Sequence, residues 1–340
     1  MLLSLQYLRG VAALLVVYFH ALTQLKSGGN ENIYLPLLGE SGVDLFFVLS
    51  GFVMWITTAN KNIGFFKFLE KRIKRIVPIY WILTILASSL ALVLGDLMKS
   101  TVFDMSHLIK SLFFIPAINP SEKVAGIYPV IIPGWTLNFE FFFYLIFGFS
   151  LFFTSRKVRL ISVSLLIISL FSFSFVIEID TAIITFYLNN VIIEFLFGLV
   201  LGVLYLKNKV DLKIGKFILL LLIASTSLLL LYADYLSDSL RGLFLGLPSV
   251  LLIYWLLIYE NNHGIFKSKI LKIIGDASYS IYLTHVFVLA GLRVFFSSFS
   301  FDMYQVDPAF FVVTAVTSSI LIGISFYILI EKQVITILNH

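Results

Sequence analysis

The stretch LQYLRGVAALLVVYFHA, residues 5–21, decides how the rest of the chain is interpreted. It is apolar enough to cross a bilayer, yet it contains Arg9 and His20, whose side chains are costly to place in hydrocarbon. At about 100° and 1.5 Å per residue, the two side chains share one helix face and lie roughly 16 Å apart along the axis. One face of this helix therefore carries a cation near one membrane surface and an imidazole towards the other.

Hydrophobic residues make up 60% of the 340-residue chain and charged residues only 13%. Because a water-soluble domain of this size needs more charge on its surface, the composition predicts an integral membrane protein. The chain contains no cysteine, which excludes disulfides, thiolate metal sites and a cysteine nucleophile, and no metal site is expected. The net charge of +5 does not indicate nucleic-acid binding, because the basic residues cluster in loops between the predicted spans.

Long apolar runs recur along the chain and predict an all-α integral membrane protein, a bundle of about ten transmembrane helices with an internal polar cavity. A single transmembrane domain is expected over residues 1–340, with the first span retained. The ten predicted spans are residues 5–25, 42–59, 76–97, 134–153, 160–177, 183–206, 216–233, 242–259, 275–298 and 309–330.

The basic residues also predict an orientation for the bundle. Seventeen of the 24 lie at the tail or in the loops on one side, against six on the other side. The positive-inside tendency places the richer side, and with it both termini, in the cytoplasm. Arg9 is then near the cytoplasmic face and His20 is in the outer half. Each residue alone has a simpler interpretation, because arginine can snorkel to headgroups and a buried histidine usually packs with a satisfied hydrogen bond.

The span at 134–153 contains an acidic residue, Glu140, on the same helical face as Tyr144. Counted from the outer surface at about 1.5 Å per residue, Glu140 lies roughly 9 Å deep and His20 roughly 8 Å deep. Similar depth predicts a carboxylate–imidazole pair, which suits general-base catalysis because the carboxylate orients the ring. The alternative is a structural pair without catalysis.

Two further arginines, Arg72 and Arg75, lie in the segment EKRIKRIVPIYW, which is assigned to a cytoplasmic loop. Three residues apart on a helix, they share a face, and two guanidinium groups can grip a diphosphate. The alternative roles are to set the topology or to bind anionic lipid.

Other polar residues in the spans give weaker predictions. Asp44 near the outer end of the second span is interpreted as a cavity-lining residue or as a helix-start cap. Ser50 is interpreted as a helix-packing residue. Glu331 at the inner end of the last span is expected to pair with an arginine such as Arg9. A stripe in the ninth span is interpreted as structural: Tyr279, Tyr282 and His285.

Taken together, these residues predict a donor held on the cytoplasmic side and an acceptor presented at the outer leaflet. An acyl-CoA fits this requirement, because its charged nucleotide can stay at the arginines while the slender pantetheine arm reaches inward. The residues alone do not identify the transferred group as an acetyl or a sugar.

Five segments, in this order, resemble the acyltransferase family 3 membrane proteins, most closely the exopolysaccharide O-acetyltransferase branch. The resemblance extends over essentially the whole chain, from residue 5 to about residue 331. The segments are LRGVAALLVVYFH, SGVDLFFVLSGF, KRIKRIVPIYW, GWTLNFEFFFY and GDASYSIYLTH.

The resemblance implies O-acylation of extracytoplasmic glycans, with a catalytic role for His20 and donor binding by arginines. The matching arginines are Arg9, Arg72 and Arg75. This chain departs from the family at Gln333, where a proline often follows two residues after the glutamate. That difference puts a role for Glu331 in doubt.

The predicted function is a multi-pass O-acyltransferase of the bacterial cytoplasmic (inner) membrane. It moves an acyl group, with acetyl expected, from cytoplasmic acyl-CoA to a hydroxyl of a cell-surface polysaccharide or lipid-linked glycan. Acetyl-CoA is then a co-substrate and no cofactor is permanently bound. His20 and Glu140 are assigned as catalytic residues. Arg9, Arg72 and Arg75 are assigned to donor binding, and Asp44 and Tyr144 to substrate binding.

Two other classes of function remain open at this point. A transporter or flippase of polysaccharide units would also line a path with intramembrane polar residues, but it predicts inverted repeats and matching broken helices. A scaffold for a glycan-synthesis complex predicts that replacing Arg72 and Arg75 leaves function intact.

Overall fold

A computed structural model describes the chain over most of its length, and these residues are organised as helices without β-strands. The described residues are 2–30, 32–35, 39–61, 63–95, 101–176, 181–208, 210–232, 240–298 and 306–339. The helices are α1 Leu3–Ser27, α2 Ser41–Thr58, α3 Phe65–Val93, α4 Met105–Leu112, α5 Trp135–Ser150, α6 Arg156–Phe173, α7 Ala182–Tyr187, α8 Ile193–Leu206, α9 Lys216–Tyr232, α10 Arg241–Phe244, α11 Gly246–His263, α12 Lys269–Asp276, α13 Ser278–Ser298, α14 Pro308–Phe326 and α15 Lys332–Asn339.

Helical segments lie in each of the ten predicted spans. In the described part of the chain, six helices are long and apolar enough to cross a membrane, so the protein is a multi-pass membrane protein. The six are Leu3–Ser27, Ser41–Thr58, Phe65–Val93, Arg241–His263, Ser278–Ser298 and Pro308–Leu338. The total of about ten crossings stays a prediction.

The helix α3 begins eleven residues before the predicted span, at Phe65. Arg72 and Arg75 were assigned to a loop, and the structure corrects this by placing both within the helix. An ion pair of 2.7 Å between Lys74 and Glu70, four residues apart, supports this first part of α3. The two arginines therefore project from a rigid element.

The predicted span at 183–206 is broken in the structure into α7 and α8. The side chain of Asn189 accepts a hydrogen bond from the backbone N–H of Val191 at 3.1 Å. Asparagine side chains that bond to nearby backbone in this way compete with the helix and mark a helix start. This local competition explains the break, which hydrophobicity alone does not reveal.

Close contact between α2 and α8 fixes the position of α2 in the bundle. A Cβ added to Gly51 would meet the carbonyl oxygen of Phe195, and one added to Gly198 would meet that of Val48. Glycines at both positions let the two backbones approach within direct contact, as small residues do in membrane helix pairs. The position of α2 in turn determines where Ser50 points.

The first helix lies inside the bundle, packed against α2, α12, α13 and α14. Backbone N–H groups of Leu3 and Ser4 donate to the carboxylate of Glu260 at 2.9 and 3.0 Å, which suits the positive end of a helix. One turn on, the amide of Gln6 donates to the carboxylate of Asp276. These contacts fix the depth and rotation of the helix that carries the arginine and the histidine.

The last span ends in a π-helical turn at Tyr327–Glu331. Such turns re-aim a side chain within a helix. Here Glu331 is 5% exposed, and its carboxylate accepts a hydrogen bond from the hydroxyl of Ser280. Arg9 and Arg75 are near enough to act on its charge, but neither forms an ion pair with it among the described residues.

Candidate functional site

Five helices, α1, α2, α3, α5 and α13, enclose a pocket of about 110 Å³. Its polar lining includes three of the predicted site arginines together with hydroxyl groups and one carboxylate. We call it the arginine pocket. Its polar lining residues are Arg9, Ser50, Arg72, Arg75, Thr136, Glu140, Tyr144, Ser278, Tyr279 and Tyr282.

The charge of the arginine pocket is positive. Three guanidinium groups line it against the single carboxylate of Glu140. Within the described ranges, none of the three arginines is in an ion pair. Arginine matches phosphate and carboxylate with paired N–H donors, so this pocket is suited to a ligand that carries anionic groups.

Arg72 has the most distinctive surroundings of the three. Its guanidinium carbon lies 5.4 Å from the ring centre of Phe68 and 5.7 Å from that of Tyr144. Its Nε is buried and has no hydrogen-bond partner among the described residues. Two aromatic faces therefore hold the cation in place while one of its N–H donors stays unused.

Glu140 is fixed by two hydroxyl groups inside the arginine pocket. Ser50 Oγ donates to Glu140 Oε1 at 3.1 Å, and the hydroxyl of Tyr144 donates to the same oxygen. The prediction that Ser50 serves only helix packing is thereby corrected. Tyr144 lies beside Glu140, as the four-residue spacing predicts.

A second pocket, of about 510 Å³, lies further along α1 and contains the predicted catalytic histidine. We call it the histidine pocket. Its lining combines apolar side chains with hydroxyl, amide and cationic groups. The polar lining residues are His20, Thr23, Gln24, Ser27, Thr101, Lys123 and Arg293.

The predicted contact between His20 and Glu140 is not formed. The two residues line different pockets, and Glu140 instead acts electrostatically on Arg9, at the other end of the first helix. The prediction counted depth from residue 134 as a membrane surface. In the structure α5 follows a short turn at Ile132–Gly134 in which Pro133 and Gly134 are buried, so residue 134 does not mark an exposed surface from which depth can be counted.

The partner of His20 is a second histidine. His20 Nδ1 lies 3.2 Å from Nε2 of His285, and the two ring centres are 5.0 Å apart. His285 is fully buried on α13, and its Nδ1 lies 2.6 Å from the carbonyl oxygen of Tyr282. The three-residue spacing of the polar stripe in α13 signals this residue, although the stripe was interpreted as structural.

A hydrogen-bonded layer separates the two pockets. The Tyr282 hydroxyl donates to the carbonyl oxygen of Pro133 at 2.8 Å and lies 2.9 Å from Thr136 Oγ1. Thr136 Oγ1 is also 3.0 Å from the Pro133 carbonyl. Tyr282 and Thr136 line the arginine pocket, whereas Pro133 lines the histidine pocket. A single internal cavity joining the two stays a prediction.

Asp44 lines neither pocket. Its side chain is fully buried and accepts a hydrogen bond from Arg241 at 3.3 Å. The same guanidinium pairs with Glu40 at 3.0 Å. Nor does Asp44 cap the start of α2, since Glu40 occupies that position. This ionic contact joins α2 to α10 and favours a structural role over the predicted substrate contact.

The described ranges contain no group of three His, Asp or Glu side chains able to hold a metal ion. They do contain two polar pockets inside one helical membrane bundle, with a cationic lining in one and a histidine pair beside the other. Fold and site together define a multi-pass membrane protein with a positively charged internal pocket.

The chain belongs to acyltransferase family 3, whose model, described as an acyltransferase domain, matches residues 2–328. The protein is therefore a membrane acyltransferase. The exopolysaccharide production protein ExoZ of Rhizobium meliloti (strain 1021) is 35% identical over 304 residues, which cover 88% of this chain and 90% of that protein. The acyltransferase MdmB of Streptomyces mycarofaciens is 29% identical over 150 residues, 42% of this chain and 38% of that protein. No solved structure gives a significant match.

Proposed function

We propose that this protein transfers an acyl group, acetyl in the simplest case, from acyl-CoA to a hydroxyl of a polysaccharide or lipid-linked glycan. The observation that carries the proposal is a set of three arginines in one pocket that form no ion pair with any described residue, with His20 on the same helix as Arg9. Membership of an acyltransferase family supports an acyl group as the group that is transferred. The name of ExoZ supports an exopolysaccharide as acceptor.

In this proposal the arginine pocket binds the phosphate groups of the donor. Arg9, Arg72 and Arg75 supply the cationic N–H donors that phosphate oxygens prefer. Glu140 and Tyr144 line the same pocket, so we assign them to donor binding and to holding the arginines apart. This replaces the predicted role of Glu140 as the residue that orients His20.

The count of basic residues supports an orientation with the arginine pocket towards the cytoplasm, where acyl-CoA is made, and the histidine pocket towards the outer leaflet. The membrane is then the bacterial cytoplasmic membrane. The two predicted site residues of α1 lie about 16 Å apart along its axis, a span that the pantetheine arm of CoA can bridge. The acyl arm reaches the histidine pocket when the layer formed by Tyr282 and Thr136 opens.

His20 acts as the general base of the transfer step. The acceptor hydroxyl oxygen attacks the thioester carbonyl carbon, a carbon–oxygen bond forms, and the carbon–sulfur bond breaks. The hydroxyl proton passes to His20 and then to the leaving thiolate, which departs as CoA-SH. Hydroxyl and amide groups of Thr23, Gln24 and Ser27 line the same pocket and can bind a sugar.

The proposal is tested with purified protein in nanodiscs, acetyl-CoA labelled in the acetyl group, and exopolysaccharide isolated from cells that lack the protein. Label is expected on the polysaccharide, and His20→Ala is expected to lower the rate by roughly 10²- to 10⁴-fold, as for loss of a general base. His263→Ala, at the exposed end of α11, is the matched control. Transfer that persists at full rate in a folded His20→Ala variant would contradict the proposal.

A further inference from the structure

The proposed function leaves the second histidine of the pair without a role. We propose that His285 is a positioning residue, which holds His20 in the tautomer with an unprotonated Nε2 and stabilises the ring when it takes up a proton. This inference rests on the proposed function, because it concerns the base of that reaction. It follows from the hydrogen-bond partners of the four imidazole nitrogen atoms of His20 and His285.

The hydrogen-bond partner of His285 determines its tautomer. Its Nδ1 lies 2.6 Å from the carbonyl oxygen of Tyr282, and a carbonyl oxygen only accepts hydrogen bonds. Nδ1 of His285 must therefore carry the hydrogen. In a neutral imidazole the other nitrogen is then an acceptor, so Nε2 of His285 presents a lone pair.

The two acceptors around Nδ1 of His20 determine the tautomer of that residue. Its Nδ1 is 3.2 Å from that lone pair of His285 and 3.0 Å from the carbonyl oxygen of Val16. Both neighbours are acceptors, so Nδ1 of His20 carries a hydrogen that they share. Nε2 of His20 is left unprotonated, and it has no hydrogen-bond partner among the described residues. A bare ring nitrogen on a residue that lines the histidine pocket is what a general base requires.

The tautomer of His20 that carries its hydrogen on Nε2 is excluded by repulsion between lone pairs. If His20 carried its hydrogen on Nε2, the lone pair of Nδ1 would face two other lone pairs, on His285 and on the Val16 carbonyl. A protonated His285 would donate to His20 and reverse its tautomer. That state places a charge on a fully buried ring with no carboxylate bonded to it, which is costly.

The same geometry stabilises the charged form of His20. After His20 takes the acceptor proton, its Nδ1–H donates to the neutral Nε2 of His285, a charge-assisted hydrogen bond. The Val16 carbonyl is a weaker substitute, because it lies one helical turn back and serves the backbone ladder of α1 as well. His285 thus supplies the only side-chain acceptor for this hydrogen in the described part of the chain.

The experiment compares His285→Gln with His285→Leu in the labelled-acetyl assay. Glutamine places an amide oxygen near the position of Nε2 and keeps an acceptor, whereas leucine has a similar size and no acceptor. His285→Leu is expected to lower kcat roughly ten- to hundredfold, less than the loss of the base itself, with the KM for acetyl-CoA unchanged. His285→Gln is expected to recover most of the rate.

A second measurement identifies the histidine tautomers directly and does not depend on enzyme activity. In the ¹⁵N NMR spectrum of histidine-labelled protein, two of the five imidazoles are expected with a protonated Nδ1 and a bare Nε2. His20→Ala removes one of these signals and so assigns the other to His285. In His285→Leu the His285 signal is lost, and the His20 signal is expected to move towards the Nε2–H form. A free imidazole prefers the Nε2–H tautomer, so the result is specific to this contact.

The outcomes separate the two proposals. An active wild-type protein with a fully active His285→Leu variant, or an Nε2–H signal for His20, overturns the positioning role alone. Equal losses in both His285 variants with a raised KM for the donor would show a packing defect and would also overturn it. A folded wild-type protein that transfers no acyl group overturns the proposed function, and the positioning role with it.

Discussion

At the scale of single residues, the arginine pocket holds three cations in different surroundings against one carboxylate, that of Glu140. Arg72 is the most constrained, because two aromatic rings flank its guanidinium. Arg75 is exposed, and Arg9 is half-buried on the first helix. Binding energy for the donor should therefore depend most on the residue that is already held in place.

Replacing Arg72 tests this ranking. Arg72→Ala is expected to raise the KM for acetyl-CoA by roughly ten- to a hundredfold, since a hydrogen bond to a charged group contributes about 1.5–3 kcal/mol. Arg72→Lys is expected to recover only part of this loss, because lysine lacks the planar fork and stacks less well on the rings. Lys74→Ala, whose side chain pairs with Glu70 on the same helix, is the control and should bind the donor normally. Unchanged donor binding in Arg72→Ala would contradict the assigned pocket.

Spacing along one helix predicted which residues line the pockets better than it predicted the partners of those residues. Arg9 and His20 share a helix face, and the structure places them in the two pockets that the face connects. The prediction of a contact between His20 and Glu140 was wrong, because similar depth in a bilayer fixes neither where a helix starts nor how it is rotated. The true partner, His285, lies on a helix more than 250 residues away in sequence, and the pairing depends on packing that no local pattern encodes.

At the scale of helices, the contact between α2 and α10 is a buried ion pair outside both pockets. Asp44→Asn leaves Arg241 with the more exposed carboxylate of Glu40, so the expected loss of stability is smaller than the about 3–5 kcal/mol that an unpaired buried charge costs. Asp44→Asn is therefore expected to lower the stability of the protein in detergent, while the KM for acetyl-CoA of the folded fraction stays unchanged. The double variant Asp44→Asn with Arg241→Gln is expected to recover part of the stability. Thermal unfolding and donor titration measure the two effects separately.

A raised donor or acceptor KM in folded Asp44→Asn, without loss of stability, would return Asp44 to the ligand-binding site. Asp104→Asn is a suitable control, because Asp104 caps α4 in the connection outside the long apolar helices.

The same connection contains a histidine that should respond to pH. Burial lowers the pKa of His107, and its Nε2 donates to the carbonyl oxygen of Tyr128 at 2.8 Å. Because the folded pKa lies below the unfolded value, the stability contributed by neutral His107 is complete at neutral pH and is lost as the pH falls. Backbone amides of α4 and of the segment around Tyr128 should exchange faster, after correction for intrinsic rates, at pH 5 than at pH 7.5.

His107→Gln keeps a donor near the Tyr128 carbonyl and has no titrating group. Its exchange protection is expected to be independent of pH over the same range. A pH dependence that survives in this variant would assign the effect to another group.

The helices themselves were predictable to different degrees. Long apolar runs predicted α1, α2, α13 and α14, because hydrocarbon length and backbone satisfaction leave little choice for such segments. The break between α7 and α8 was missed, since it depends on one side chain, Asn189, that caps the backbone. The early start of α3 was missed because its first turns are charged, although charge does not prevent a helix at a membrane surface.

At the scale of the whole molecule, the two pockets lie on either side of one hydrogen-bonded layer that belongs to α5 and α13. Composition predicted the membrane bundle, and six long apolar helices among the described residues confirm it; the orientation derived from charge asymmetry stays a prediction, and neither signal predicted this layer. Its position depends on the hydrogen bond between the Tyr282 hydroxyl and the Pro133 carbonyl, two residues far apart in the sequence. In our account the layer keeps the donor and acceptor sides apart until the acyl arm passes through.

The central claim is that the acyl group crosses the membrane plane between the two pockets while CoA stays on its own side. Proteoliposomes with labelled acetyl-CoA outside and polysaccharide trapped inside test it directly, with His20→Ala as the inactive control. Our account predicts label on the enclosed polysaccharide, CoA-SH released outside, and no labelled CoA inside. Labelling that occurs only when donor and acceptor share one compartment would contradict it.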